Sequence, residues 1–377
     1  MRLEKLSLQN FRNIGQMTLT PHPGVNVIYG ENAQGKTNII EAIYLLTGQK
    51  SFRQAREGDL VQLGCQEAVI AADFYGGGRS QTATLAFGSG RKNATLNELP
   101  VTPSELTGRF FAVVFSPAEL ALVQDGPALR RSFLDSAISQ VMPRYLKTLA
   151  GMNRSLSQRN SLLADARSHP GLEGMLESWD VSFSKLSYGV INARRRYIAR
   201  LAPQAAAIYS DITGGRESLT VAYQSSLVTD CETPREAEEA IVEQLRRSRG
   251  EDLRNGYTTL GPQRDDLELS IDGQAARVYG SQGQQRSCAL ALKLAECRLI
   301  EEICGEAPVI LLDDVFSELD KSRRDYFIKG ITQGQVFITS CEKTGLRGFS
   351  TGKKLRIAAG ALQESRPRKK TAKPQKE

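Results

Sequence analysis

The eight residues Gly30-Glu31-Asn32-Ala33-Gln34-Gly35-Lys36-Thr37 constrain this chain more than any other feature. They fit G-x-x-x-x-G-K-[ST] without deviation. The flanks agree. Val25-Asn26-Val27-Ile28-Tyr29 is apolar and β-branched, as a buried strand should be, and Ile39, Ile40, Ile43 and Leu46 recur at helical spacing over 38–46. Glycines let backbone N–H groups converge on phosphate oxygens, and the helix N-terminus adds partial positive charge. Lys36 is placed to reach the outer phosphates and Thr37 to bind Mg²⁺ through its hydroxyl. The motif predicts a nucleoside triphosphate site over Gly30, Glu31, Asn32, Ala33, Gln34, Gly35, Lys36, Thr37 and Asn38.

A phosphate loop of this kind needs a carboxylate on a neighbouring strand to hold its metal. Val309-Ile310-Leu311-Leu312-Asp313-Asp314 supplies one, four apolar residues ending in two acids. Asp313 stands where a strand tip presents an Mg²⁺ ligand, and Asp314 is positioned to polarise an attacking water. Ser317-Glu318-Leu319-Asp320 follows. Upstream of Asp313, Tyr279-Gly280-Ser281-Gln282-Gly283-Gln284-Gln285-Arg286 opens an amphipathic helix. Alone it reads equally well as a serine-capped helix start. The order strand, phosphate loop, helical insertion, S-x-G-Q, helix, h-h-h-h-D-D, S-x-L-D is nevertheless the layout of ABC-type ATPases.

Secondary-structure texture places these motifs. Alternation marks strands from the N-terminus to Tyr29 and again over 68–102, where Gly76-Gly77-Gly78 and Gly88-Ser89-Gly90 are turns. Leucine and arginine at helical spacing then run from about 127 to 208, broken at Pro143 and His169-Pro170-Gly171. A helix is expected over 234–249, a hairpin turning at Asp272-Gly273 between 267–271 and 275–279, and a helix over 283–304. A strand at 309–312, a helix at 321–330 and a strand at 336–339 complete the predicted fold. The expected division is residues 1–116 and 257–360 as two halves of one α/β core, 117–256 as a helical insertion, and 361–377 as a basic tail. The end of that tail, 366–377, contains no apolar side chain larger than alanine and is expected to be disordered.

The 377 residues carry a formal charge of +7, and its location matters more than its size. Residues 127–200 hold 12 basic and 5 acidic side chains, and 361–377 hold 6 and 2; 201–360 hold 20 and 24, and 1–126 hold 11 of each. A concentrated excess reads as a surface for phosphate polyanions. Candidate DNA contacts are Arg130, Arg131, Arg194, Arg195, Arg196, Arg246, Arg247 and Arg249, each equally readable as part of a solvated helix face. Six cysteines without a C-x-x-C pair, and two histidines, argue against a metal centre and for reduced thiols. No apolar run approaches the roughly 20 residues that cross a bilayer, and the N-terminus lacks a secretion signal, so a cytoplasmic location without membrane association is expected.

Within the ABC class the chain resembles the RecF family of SMC-like ATPases. The resemblance rests on LSLQNFRN (7–14), GENAQGKTN (30–38), KSFR (50–53), RRSFLD (130–135), GPQRDDLEL (261–269), GSQGQQRS (280–287) and LLDDVFSELD (311–320). It implies an α/β P-loop head of the ABC type with a helical insertion domain in place of a long coiled coil. It also implies ATP and Mg²⁺ as cofactors, an ATP-dependent homodimer, and binding to DNA, both single- and double-stranded, with gapped junctions as the expected target. Slow DNA-dependent hydrolysis would act as a release switch in recombinational and gap repair, with RecO, RecR and RecA as partners. Lys36 and Thr37 would hold phosphates and metal, Asp313 the metal, and Asp314 the water. Ser281, Gly283 and Gln284 would reach the γ-phosphate held by the other subunit, and Asp320 would lie at the same interface. Arg53 is either a nucleotide contact or a surface arginine. Two departures stand out: Asp314 replaces the glutamate of most ABC ATPases, and Gln263 replaces the family's usual histidine in GP-x-RDD.

Two other classes compete. The nucleotide subunit of a membrane transporter would carry a switch histidine after the strand at 336–339, where this chain has Ser340-Cys341-Glu342. A non-hydrolysing adaptor would use ATP only to order a protein-binding surface.

Overall fold

The alternating N-terminus becomes β1 (Arg2–Phe11) and β2 (Ile14–Leu19), paired antiparallel with Leu3, Leu6 and Leu8 turned inward. β3 (Val25–Tyr29) then runs into the phosphate loop and α1 (Lys36–Leu45). The computed structural model describes residues 1–88, 91–166, 168–317, 319–330, 334–341 and 352–363. Next come β4 (Glu67–Gly76), β5 (Arg79–Gly88), β6 (Arg91–Leu96) and β7 (Leu99–Val101). Gly77 and Gly78 make the first turn of this meander with φ of 62° and 75°, a conformation that favours glycine. β8 (Ala112–Phe115) is buried on every residue.

Helices follow: α2 (Pro117–Leu120), α3 (Pro127–Val141), α4 (Pro143–Ala166) and α5 (Leu176–Thr213). Proline begins α2, α3 and α4, where its missing N–H is no loss. β9 (Leu219–Gln224) and α6 (Pro234–Asn255) lead to β10 (Asp266–Ile271), β11 (Gln274–Ala275) and the single turn α7 (Ala276–Tyr279). α8 (Gln282–Cys304), β12 (Val309–Leu312), α9 (Lys321–Gly330), β13 (Val336–Ser340), β14 (Lys353–Ala358) and β15 (Ala361–Gln363) complete the described chain.

Three sheets result. The first, ordered β2-β1-β4-β5-β6-β7, is antiparallel; the second is β11-β10-β9; the third, β15-β14-β3-β13-β12-β8, is parallel except for β15. One core lies between the first sheet, α1 and one face of the third. The other packs the opposite face against α8 and the long helices. α8 is apolar on nearly every side and accordingly buried from Cys288 through Cys297.

The structure departs from the sequence reading in three places. Residues 275–279 pair as a strand only at Ala275, because Ala276 enters the core and the chain turns helical. β8, β9, β14 and β15 were not foreseen. β8 is a continuous four-residue apolar run without alternation, all of it buried. The buried apolar residues of the other three number two or fewer each, Leu219 and Val221 in β9 and Leu355 and Ile357 in β14, too few to make a period legible. α6 continues to Asn255 beyond the expected end, and Gly256 stops it with φ of 75°. The expectation of disorder for 366–377 lies outside the described residues.

Candidate functional site

β3, β13 and β12 are adjacent and parallel, so their C-terminal ends open on one edge of the sheet. The loop after β3 is forced into shape by contacts that leave no room for side chains. A Cβ on Gly30 would lie 2.2 Å from the Ile357 carbonyl oxygen of β14, and Gly35 begins α1 at φ of 103°. Asn13 braces the loop, its amide donating to Ala33 O at 3.0 Å and its oxygen accepting from Asn38 at 2.7 Å. Among the described residues no side chain caps the first turn of α1. The amides of that turn, beside a buried Lys36, fit a phosphate group.

Lys36 Nζ donates to the carbonyl oxygens of Gly30 and Glu31, both at 2.8 Å. Thr37 Oγ1 donates to Asp313 Oδ1 at 2.9 Å, as does Thr339 Oγ1 from β13. Burial pushes the Asp313 carboxyl above its usual range, opposed by those two hydroxyls. A buried carboxylate touching a hydroxyl, with no cationic side chain bonded to it among the described residues, suits Mg²⁺. Asp314 follows in a left-handed conformation (φ 52°), its N–H bonded to Thr339 Oγ1 at 2.9 Å, and it lines the same cleft as Lys36 and Thr37. That cleft encloses about 560 Å³.

The cleft also contains two arginines held by a residue the motifs do not reveal. Glu41, on α1 and fully buried, accepts from Arg12 at 2.7 and 3.0 Å, from Ser51 at 2.5 Å and from Arg53 at 3.4 Å. Arg53 also donates to Asn38 Oδ1 at 3.0 Å, so it lies at the nucleotide cleft. Arg12, Asn13 and Glu41 were missed. The signal available was Glu41 one helical turn after Thr37, a charge at an otherwise apolar helix position.

Other predicted residues lie elsewhere. Ser281 and Gln284 form a reciprocal cap at the start of α8, Ser281 Oγ accepting from Gln284 N–H at 3.3 Å and Gln284 Oε1 from Ser281 N–H at 2.8 Å. Neither they nor Gly283 line the chain's own cleft. Glu31 is exposed, and Gln34 is tied to the turn between β14 and β15, its oxygen accepting from Ala359 N–H. Asp320 is exposed and pairs with Arg323, whose Nε donates to Ser287 Oγ on α8 at 2.7 Å. Gln263 donates to Leu260 O at 2.9 Å within its own loop. Glu318 lies outside the described residues.

Two of the DNA candidates, Arg130 and Arg194, need correction. Arg130 and Arg194 are only 4% and 1% exposed. Arg130 grips Asp266 at 2.7 and 2.8 Å, and Arg194 grips Asp135 at 2.8 and 3.0 Å while donating to Pro262 O at 2.8 Å. Burying a guanidinium demands such partners. RRSFLD and GPQRDD are thus a structural clasp between α3, α5 and the segment before β10, with Asp265 bonded to Tyr223 and Ser226. Arg131 joins it, donating to Asp265 O at 2.8 Å. Arg195 pairs with Asp230, Arg246 with Glu177, Arg247 with Glu243 and Arg249 with Asp180. Arg196 is exposed.

A parallel sheet whose strand tips carry a P-loop and a D-D pair, flanked by an antiparallel sheet and with an S-x-G-Q helix leading into the D-D strand, defines the class: an ABC-type ATPase head of the SMC kind. The family model described as RecF/RecN/SMC N terminal domain matches residues 2–358. The DNA replication and repair protein RecF of Ruminiclostridium cellulolyticum is 36% identical over 347 residues, spanning 91% of this chain and 93% of that protein. That of Heliobacterium modesticaldum is 39% identical over 376 residues, spanning 97% and 100%. A solved structure of the recombination mediator protein RecF-ATPrS in the RecFOR pathway superposes with a TM-score of 0.90 at 33% identity, over 96% of this chain and 97% of that one. The Smc head domain of Pyrococcus furiosus shares the fold, with a TM-score of 0.54 at 17% identity over 96% and 95%. The chain belongs to the RecF family of DNA replication and repair proteins. The transporter alternative has no support, and no helix among the described residues is long and apolar enough to cross a membrane.

Proposed function

We propose that this protein is an ATP-dependent DNA clamp of recombinational and gap repair, closing as a homodimer around ATP and opening after slow hydrolysis. The observation that carries it is the contact of Thr37 with Asp313 at 2.9 Å beside Lys36, while Ser281, Gly283 and Gln284 stand outside that cleft. A site complete on its phosphate and metal side, yet without its signature residues, is what a second subunit would complete. A solved relative described as the recombination mediator protein RecF-ATP in the RecFOR pathway, 34% identical, supports ATP as the nucleotide and RecO and RecR as partners; RecA as the protein they deliver rests on the family resemblance alone.

In this reading Lys36 leaves the carbonyl oxygens of Gly30 and Glu31 for phosphate oxygens, and Thr37 and Asp313 hold Mg²⁺. Bound there, Mg²⁺ supplies charge neutralisation at the terminal phosphates. Asp314 orients the attacking water and takes its proton. Its arm is one methylene shorter than glutamate, which suits a slow switch. Residues 1–116 and 257–363 form the ATPase core, three residues past the expected boundary at 360 because β15 pairs with β14 in the third sheet, with 117–256 the arm and 364–377 a basic tail, in a cytoplasmic protein.

Light scattering with and without ATP tests the clamp. Wild type is expected to dimerise with ATP, Asp314→Asn to dimerise and persist, and Ser281→Arg to bind ATP yet stay monomeric. A monomer in every case removes the clamp. Steady-state ATPase with and without DNA separates the adaptor reading, which requires zero rate in both.

A further inference from the structure

The paired and buried arginines leave a different set of cations facing solvent. α4 carries Arg144, Lys147 and Arg154, and α5 carries Lys185 and Arg196; all five are exposed, and none has a carboxylate within ion-pair distance among the described residues. Residues 143–164 contain no Asp or Glu, nor do residues 181–210. Lys147 helps to hold Glu105 below the usual carboxylate range, after the bonds from Thr102.

These cations share one face because of how the two helices meet. A Cβ on Gly189 would lie 3.0 Å from Thr148 Cγ2, and one on Gly151 would lie 3.2 Å from Leu186 Cδ2. That seam fixes an antiparallel register, with 148 opposite 189 and 151 opposite 186. At about 100° per residue, Lys147 and Arg154 lie on the flank of α4 away from buried Tyr145, Met152 and Arg159, and exposed Arg144 lies beside them at the edge of the seam. By the same rotation Lys185 and Arg196 lie on the flank of α5 away from buried Phe183, Val190, Arg194 and Tyr197. In an antiparallel pair these two flanks face the same way. Arg154 comes alongside Lys185 at one end, and Arg144 alongside Arg196 at the other. The patch is about 15 Å long, at 1.5 Å of rise per residue, and its rows lie about 8–10 Å apart.

We infer that this face of the α4/α5 hairpin is a DNA-docking surface that grips the phosphate backbone of duplex DNA. The inference rests on the DNA-binding reading above and names its surface. Two rows of unpaired cations on rigid helices match a polyphosphate backbone and read no base. Single strands are held instead by aromatic side chains on which bases stack. The exposed aromatic residues among those described, Tyr75, Tyr257 and Tyr279, all lie off these two helices.

The test is fluorescence anisotropy with a labelled 30-base-pair duplex and a single strand of equal length, in ATP, across a salt series. The variants are Arg144→Ala/Lys147→Ala/Arg154→Ala, Lys185→Ala/Arg196→Ala, and Arg247→Ala as an ion-paired control. The slope of log affinity against log salt is expected to shrink by about 2–3 for the triple variant and about 2 for the double, on the duplex, at roughly 0.9 for each phosphate no longer neutralised. The control slope stays unchanged, as do ATP binding and the melting temperature in all variants. Wild-type binding whose slope survives both multiple variants overturns this surface while leaving DNA binding intact. Equal loss on duplex and single strand overturns the duplex preference. Wild type that binds neither DNA overturns the DNA reading itself, and this surface with it.

Discussion

Glu41 shows how one side chain can organise a nucleotide cleft without entering a motif. Its carboxylate is fully buried, yet it holds two arginines that reach the cleft and a serine from the loop after α1. Those bonds compensate the desolvation of the charge. Glu41→Ala should destabilise the fold by about 3 kcal/mol, the low end for breaking a buried pair, since both guanidinium groups reach solvent. Chemical denaturation checks that figure, and nucleotide titration should show weaker ATP binding because Arg12 and Arg53 lose their anchor. Lys36 and Thr37 were legible in the sequence because phosphate chemistry fixes their type and spacing. Glu41 was not, because its partners come from residues 12, 51 and 53, and sequence does not state that they converge.

At the scale of elements, the helical arm is knitted by charge rather than by apolar seams alone. Arg159 of α4 is completely buried, donating to Asp180 of α5 at 2.8 Å, to Asp252 of α6 at 2.7 Å and to Thr258 at 2.7 Å. Arg159→Ala would leave buried Asp252 without its guanidinium and Asp180 with Arg249 alone, and should cost about 3 kcal/mol, read as a lowered melting temperature. The same reason explains the misassigned arginines. A run such as Arg194-Arg195-Arg196 looks uniform in sequence, but helical rotation buries the first and exposes the third.

A second charged cluster joins α8 to α2, where Lys293 contacts Glu296 at 2.7 Å and Glu119 at 3.5 Å. Burial raises Glu296 above its usual value, although Lys293 opposes the shift. A carboxyl raised in the folded state stabilises it fully below the unfolded value, and that contribution is lost as pH rises through the folded one. Thermal melting of wild type should therefore lose stability on going from pH 4.5 upward relative to Glu296→Gln, which carries no such titration. Parallel curves for the two proteins would contradict this.

For the molecule as a whole, the fold class and the acidic strand tip at Asp313 and Asp314 were readable because each motif fixes its own local structure. What the sequence withheld were the partners across the sheet. β14 contributes two buried residues, too short a signal to announce a strand, yet its backbone is what compels glycine at position 30. The assembled sheet also imposes an order in time. β3 pairs with β13 and β14, and its Val25 meets Val336, from the far end of the chain. At the roughly 5–20 residues per second of synthesis, the phosphate loop spends about 15–60 s outside the ribosome without its neighbours. During that interval β3, apolar and with both edges open, is a strand waiting for company and open to wrong pairing. A chain cut before β13 and β14 is therefore expected to be mute toward ATP rather than half-active, which nucleotide titration of such a truncation checks.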